Sequence, residues 1–246
     1  MPRPEKLAHK IAAALCVAIA SPAMAQSVDI HKHLKSSSHP GLYSYAVHYA
    51  TFSGSPLAVA ASADAEKRAQ NYITAFVKTA NDEKRDAHDY IFHQQNTNVT
   101  CVVTCATPDV ISYYLTKDEP GGAHDIVEFE GVTWGWKNGK ATKLKLADLF
   151  LPGVSARSSI SPIVISRLKS KGAAFVLNGQ VTRIDGPSDD WEWSVTPTGI
   201  DVLLTPGWVN NEATGPYVVP AAFVKLSSKL AVDGPAGSVI KPALGL

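Results

Sequence analysis

Residues 111–150 read ISYYLTKDEPGGAHDIVEFEGVTWGWKNGKATKLKLADLF, and this stretch decides how the rest of the chain is read. Two β-rich runs flank Gly121-Gly122, where paired glycines allow positive φ and close backbone approach. Asn138-Gly139 is the strongest short hairpin signal there is, because both central positions of that turn need positive φ. Beyond it Leu144 and Leu146 alternate with Lys143 and Lys145, so one strand face is buried and the other is wet. The spacing predicts antiparallel strands at residues 98–106, 110–117 and 125–136. The first two are separated by Thr107-Pro108-Asp109, which is turn chemistry.

Moving outward, residues 43–51 form a short β-like run with Tyr43, Tyr45 and Tyr49 on alternating positions. Residues 62–84 read as a long helix, with Ala65, Ala69, Tyr72, Ile73, Phe76 and Ala80 on one stripe and Ser62 as its cap. A second helix is expected to start with Ser161 at the N-cap and Pro162 in the first turn, and to stop before Gly172. Further strands are expected at 175–184, 191–196 and 200–205, and a short helix at 221–230. Runs of strands with helices inserted predict an α+β fold, mainly antiparallel sheet packed by one long N-terminal helix and a second mid-chain helix.

The first residues read as an address. Arg3, Lys6 and Lys10 face a single Glu5, residues 11–20 are an apolar run, and Ala23-Met24-Ala25 forms an A-x-A site. That is the pattern of a cleaved export signal, and the apolar run is about half of the roughly 20 residues a membrane span needs. The organisation expected is a signal at 1–25, a loose segment at 26–42, compact parts at 43–95 and 96–232, and a tail at 233–246.

The full chain of 246 residues has 23 Lys+Arg, 22 Asp+Glu and 45% hydrophobic residues. The signal takes three of those bases and one acid with it, leaving a net charge near −1. A near-neutral chain with this much apolar material excludes disorder, and it argues against nucleic acid or an anionic membrane surface as the main partner. No stable membrane insertion is expected after signal cleavage. The expected location is periplasmic or secreted.

The 111–150 stretch, with Gly121-Gly122-Ala123-His124 followed by Asp148-Leu149-Phe150, resembles the RsiV-like extracytoplasmic domain family. Residues 45–54 (YAVHYATFSG) and the long helix after them, to Phe76, are similar to the accessory domain of PdaC-type peptidoglycan deacetylases. The closing stretch WSVTPTGIDVLLTP resembles the last strands of the RsiV-like family. The resemblance implies an envelope-facing α+β module that binds a muramidase such as lysozyme, or peptidoglycan. The alternative is a cell-wall glycan hydrolase or deacetylase.

Gly121, Gly122, His124 and Asp125 are candidate binding residues in a loop; the plain reading is a tight connection between two strands. Trp134 and Trp136, like Trp191 and Trp193, are two apart, so each pair points to one strand face. They either stack on sugar rings or fill the core. Cys101 and Cys105 favour a disulfide in an oxidising compartment. An i, i+4 pair in a straight strand is about 13 Å apart, so a bridge requires the backbone to bulge or turn. No nucleophile elbow is present, and Ser166-Arg167-Leu168-Lys169 lacks companions of an acyl-enzyme site. His31, His33 and His39 have no partner set at ligand spacing, so no metal or cofactor is expected.

Overall fold

The computed structural model describes residues 27–87, 92–121, 124–186, 191–210 and 215–246; the side chains of residues 119–121, 124–126 and 206 lie outside that description. The export signal expected at 1–25 and Gly122 also lie outside the described residues. Strands β1 (Asp29–His39) and β2 (Tyr43–Ser53) form an antiparallel hairpin. A loose segment was expected where β1 runs. It is an edge strand with polar residues along its length, so it lacks the alternation that marks a half-buried strand. Side chains hold it instead. The His33 ring stacks on Tyr49 at 4.9 Å, and His31 Nε2 lies 3.0 Å from Ser53 Oγ.

Helix α1 (Pro56–Asp86) follows. Its cap is Ser55, whose hydroxyl accepts from Ala58 N at 3.1 Å, with Pro56 at the start of the first turn. Ser62, the expected cap, sits inside the helix and bonds both the N–H and the carbonyl of Phe52. Leu57, Ala61, Ala65, Ala69 and Ile73 repeat every four residues along the buried face. The small alanines let the helix lie close to the sheet.

The helix returns the chain to β3 (Gln95–Ala106), which pairs parallel with β2. Strands β4 (Val110–Gly121), β5 (His124–Lys137) and β6 (Lys140–Lys143) then add in antiparallel order, completing a six-stranded sheet in sequence order. Asn138 and Gly139 have φ of 53° and 70°, the conformation expected of that turn.

Helix α2 (Ala156–Ser170) begins earlier than the sequence indicates. Ser155 caps it, Pro162 is inside it, and Ser161 instead accepts from Ile184 N at 2.9 Å. It ends before Gly172, whose φ is +77°. A one-turn helix α3 (Ala174–Leu177) replaces the strand expected at 175–184. The apolar run there is too short to separate helix from strand by period.

Strands β7 (Glu192–Thr196) and β8 (Gly199–Leu204), a one-turn α4 (Pro206–Val209), and β9 (Tyr217–Ala222) build a second, three-stranded antiparallel sheet. Two 3-10 turns, Phe223–Lys225 and Ser227–Lys229, stand where a helix was expected. The expected tail contains helix α5 (Gly237–Leu244), anchored by buried Val239 and Ile240.

The described residues form two cores. One fills the space between α1 and the first face of the large sheet, around Val47, Val99, Ile111, Tyr113 and Val132. The other joins the outer face of the small sheet (Val195, Ile200, Val202, Val219, Ala221) to Ile160, Val164 and Leu168 of α2. The inner face of the small sheet meets the second face of the large one. Val195 N donates to Ser112 Oγ at 2.8 Å, and Gly131 N donates to Glu192 at 3.2 Å. Among the described residues no helix is long and apolar enough to cross a membrane.

Candidate functional site

The long β4–β5 hairpin organises the expected site residues but does not bring them together. Gly121 and His124 form its closing pair, and Asp125 pairs with Pro120. Trp134 and Trp136 are ten and twelve residues down β5, about 33 Å or more from that end at 3.3 Å per residue. Both pack against the core under α1, and Trp136 Nε1 donates to the Pro108 carbonyl at 3.3 Å. Trp134 Nε1 is buried there with no hydrogen-bond partner among the described residues. Trp191 and Trp193 belong to the other core. Arg157 covers the Trp191 ring at 4.5 Å, and the indole Nε1 donates to the Ile184 carbonyl at 2.8 Å. All four indoles pack against one core or the other, Trp191 buried and the other three half-buried.

Cys101 and Cys105 are free thiols, which corrects the disulfide expectation. The backbone does bulge between Val103 and Cys105, and that bulge separates the pair instead of joining it. Cys101 pairs with Leu115 and faces the α1 core, whereas Cys105 pairs with Ser112 and faces the small sheet. Among the described residues no group of three or more His, Cys, Asp or Glu side chains could hold a metal.

What the sequence reading missed is a surface. Ladder partners share a sheet face, so the register defines rows across the large sheet. Val102, Tyr114 and Gly131 form one row; Thr100, Thr116 and Phe129 the next; Asn98, Asp118 and Val127 a third. The first row is where the small sheet crosses, because Gly131 abuts the Trp193 carbonyl. The next two rows run toward the hairpin end, and their residues are half-buried or exposed. Tyr114 and Phe129 meet edge to face at 5.7 Å. Around them stand Asn98, Thr100, Thr116 and Asp118, and none of these side chains bonds another described residue.

Asp201 on β8 closes one end of this surface. In its own sheet it lies between Ser194 and Pro220 on the face turned toward the large sheet. Burial raises the Tyr114 pKa, and the Asp201 carboxylate beside it adds to the rise. Asp201 is itself pushed above the usual carboxylate range by burial alone. Opposite it, the Ser194 hydroxyl is fully buried and has no hydrogen-bond partner among the described residues. The result is a sheet face with two aromatic rings set edge to face, amide and hydroxyl groups, and the carboxylates of Asp118 and Asp201. That chemistry suits a sugar: ring C–H bonds pack on aromatic faces while hydroxyls meet polar groups.

No family profile and no curated protein matches this sequence. Solved structures do. A DUF3298 family member from Bacteroides fragilis NCTC 9343 is 14% identical with a TM-score of 0.57, covering 88% of this chain and 98% of that one. A DUF3298 family protein from Pseudomonas aeruginosa PAO1 is 12% identical with a TM-score of 0.54, covering 83% and 94% respectively. At these identities the likeness is one of fold, and this chain has the α+β fold of those DUF3298 proteins.

Proposed function

We propose that the protein is an exported binding module of the bacterial cell envelope, periplasmic or secreted, whose ligand is the glycan of peptidoglycan. The observation that supports this reading is the sheet face on which Tyr114 and Phe129 stand among Asn98, Thr100, Thr116 and Asp118, whose side chains bond no other described residue. The site is a platform that holds a ligand. The export pattern in residues 1–25 and the RsiV-like and PdaC-like resemblance agree with an envelope location.

A muramidase such as lysozyme is the second binding partner this reading admits, since an acidic face carrying Asp118 and Asp201 complements a basic protein surface. An enzymatic alternative, glycan hydrolysis or deacetylation, draws on one observation: a carboxyl held above its normal range by burial is what a general acid requires.

The deciding experiment is a titration of the protein from residue 26 onward with soluble peptidoglycan fragments, with lysozyme, and with Tyr114→Ala as control. Saturable fragment binding below about 100 μM (about −5.5 kcal/mol) that Tyr114→Ala weakens at least tenfold supports the glycan reading. Binding of lysozyme alone moves the function to the protein partner. Release of acetate or reducing ends from the fragments replaces both with the enzyme.

A further inference from the structure

Burying a carboxylate without hydrogen bonds or a nearby cation is costly, and a folded chain normally supplies one or the other. Asp201 is half-buried in the middle strand of the small sheet, and no described residue donates to it. Burial raises its pKa, and no ion pair among the described residues includes it. The group beside it is Tyr114, whose ring packs edge to face with Phe129. Across the β7–β8 ladder stands the Ser194 hydroxyl, fully buried and also without a partner among the described residues. Two rows along the same face Asp118 adds a second carboxylate outside any described ion pair.

From this arrangement we infer that the surface selects an amino sugar with a free ammonium group, Asp201 pairing with the ammonium while Tyr114 and Phe129 pack on the ring. This rests on the glycan-binding reading and narrows it. A ring carrying a carboxylate is disfavoured, because it would set like charges against Asp118 and Asp201. An N-acetylated ring still stacks on the aromatic pair, but its amide brings no positive charge to Asp201. Charge-assisted hydrogen bonds are about twice as strong as neutral ones, so the free amine is the tighter ligand. The preferred material is therefore glycan from which some N-acetyl groups have been removed.

The test is calorimetric titration of the protein at pH 6 with a glucosamine tetramer and, separately, with an N-acetylglucosamine tetramer. The expected result is at least fivefold tighter binding of the glucosamine tetramer, a preference that shrinks in high salt. Asp201→Asn should bring the two affinities together, and its circular dichroism and melting curve establish that it is folded. Phe129→Ala should weaken both ligands alike and leave their ratio unchanged. Equal affinity for the two tetramers overturns the inference while leaving glycan binding intact. Failure of both tetramers and of wall fragments removes the glycan reading and the inference together.

Discussion

The backbone of Gly131 on β5 rests directly against the carbonyl of Trp193 on β7, so closely that a Cβ at Gly131 would overlap the peptide unit. That contact, with Ser112 Oγ accepting from Val195 N, is how the small sheet docks on the large one. Its consequence for function is positional: the docking row contains Tyr114, and Asp201 arrives beside it. Gly131→Ala should therefore cost about 1–3 kcal/mol by overpacking. Urea titration should show a lower midpoint, and glycan affinity should fall as the sheets separate. An unchanged midpoint would mean that the two sheets do not meet as described.

A second prediction concerns the charged group that ties α1 to the hairpin. Arg68 on α1 pairs with Asp64 at 2.7 Å and with Glu130 on β5, while Lys117 on β4 reaches Glu130 at 3.0 Å. Burial pushes the Glu130 carboxyl up, but Lys117 and Arg68 outweigh it and hold the group below its usual range. A depressed value means stabilisation that is present above the ordinary carboxylate range and lost as pH falls through the folded value. Because the cluster is partly exposed, Glu130→Gln should cost about 1–2 kcal/mol at pH 7, less than a fully buried pair would. Denaturation of both proteins at pH 7 and pH 3 checks it. A penalty that does not shrink in acid would contradict the electrostatic account.

How much of this was legible in the sequence depends on what each residue's neighbours are. The hairpin around Asn138-Gly139 and the stripe on α1 were readable because turn chemistry and period are local. Strand β1 was not, since an edge strand with wet residues carries no alternation, and its partner β2 supplies the pairing. The caps were misplaced onto Ser62 and Ser161 for a related reason. Both hydroxyls serve backbone groups that approach from elsewhere, Phe52 and Ile184, and only the fold reveals them. The spacing of the tryptophans fits a sugar platform and a buried strand face equally well. Tyr114 and Phe129 gave little signal: fifteen residues apart in sequence, they become neighbours through the β4–β5 register. Asp201 lies on a different sheet altogether.

The cysteines give a third prediction. Burial pushes both thiols up to about 11, and the bulge places them on opposite faces of β3. Neither carries appreciable thiolate at neutral pH, and thiolate is the reactive form. Protein from residue 26 onward, which lacks Cys16, prepared without reductant should take up a thiol reagent at both positions only after denaturation, with intact mass showing two alkylations. A mass two daltons lower, with no alkylation, would reveal a Cys101–Cys105 bridge.

The last prediction follows from the sign of the Asp201 shift. Its folded value is raised, so its contribution to stability is complete below the ordinary carboxylate range and is lost as pH rises through the raised value. At neutral pH the ionised group is a burden on the empty protein, moderated by its partial exposure. Asp201→Asn removes that burden and should raise Tm by roughly 1–3 °C at pH 7, with little change at pH 3. A carboxylate kept for packing or internal hydrogen bonding would behave in the opposite way, and its loss would lower Tm at pH 7. Melting curves at the two pH values distinguish these cases without any ligand. Repeating them with the glucosamine tetramer should reverse the order, because the unsubstituted protein gains an ammonium pair that the Asp201→Asn variant cannot form.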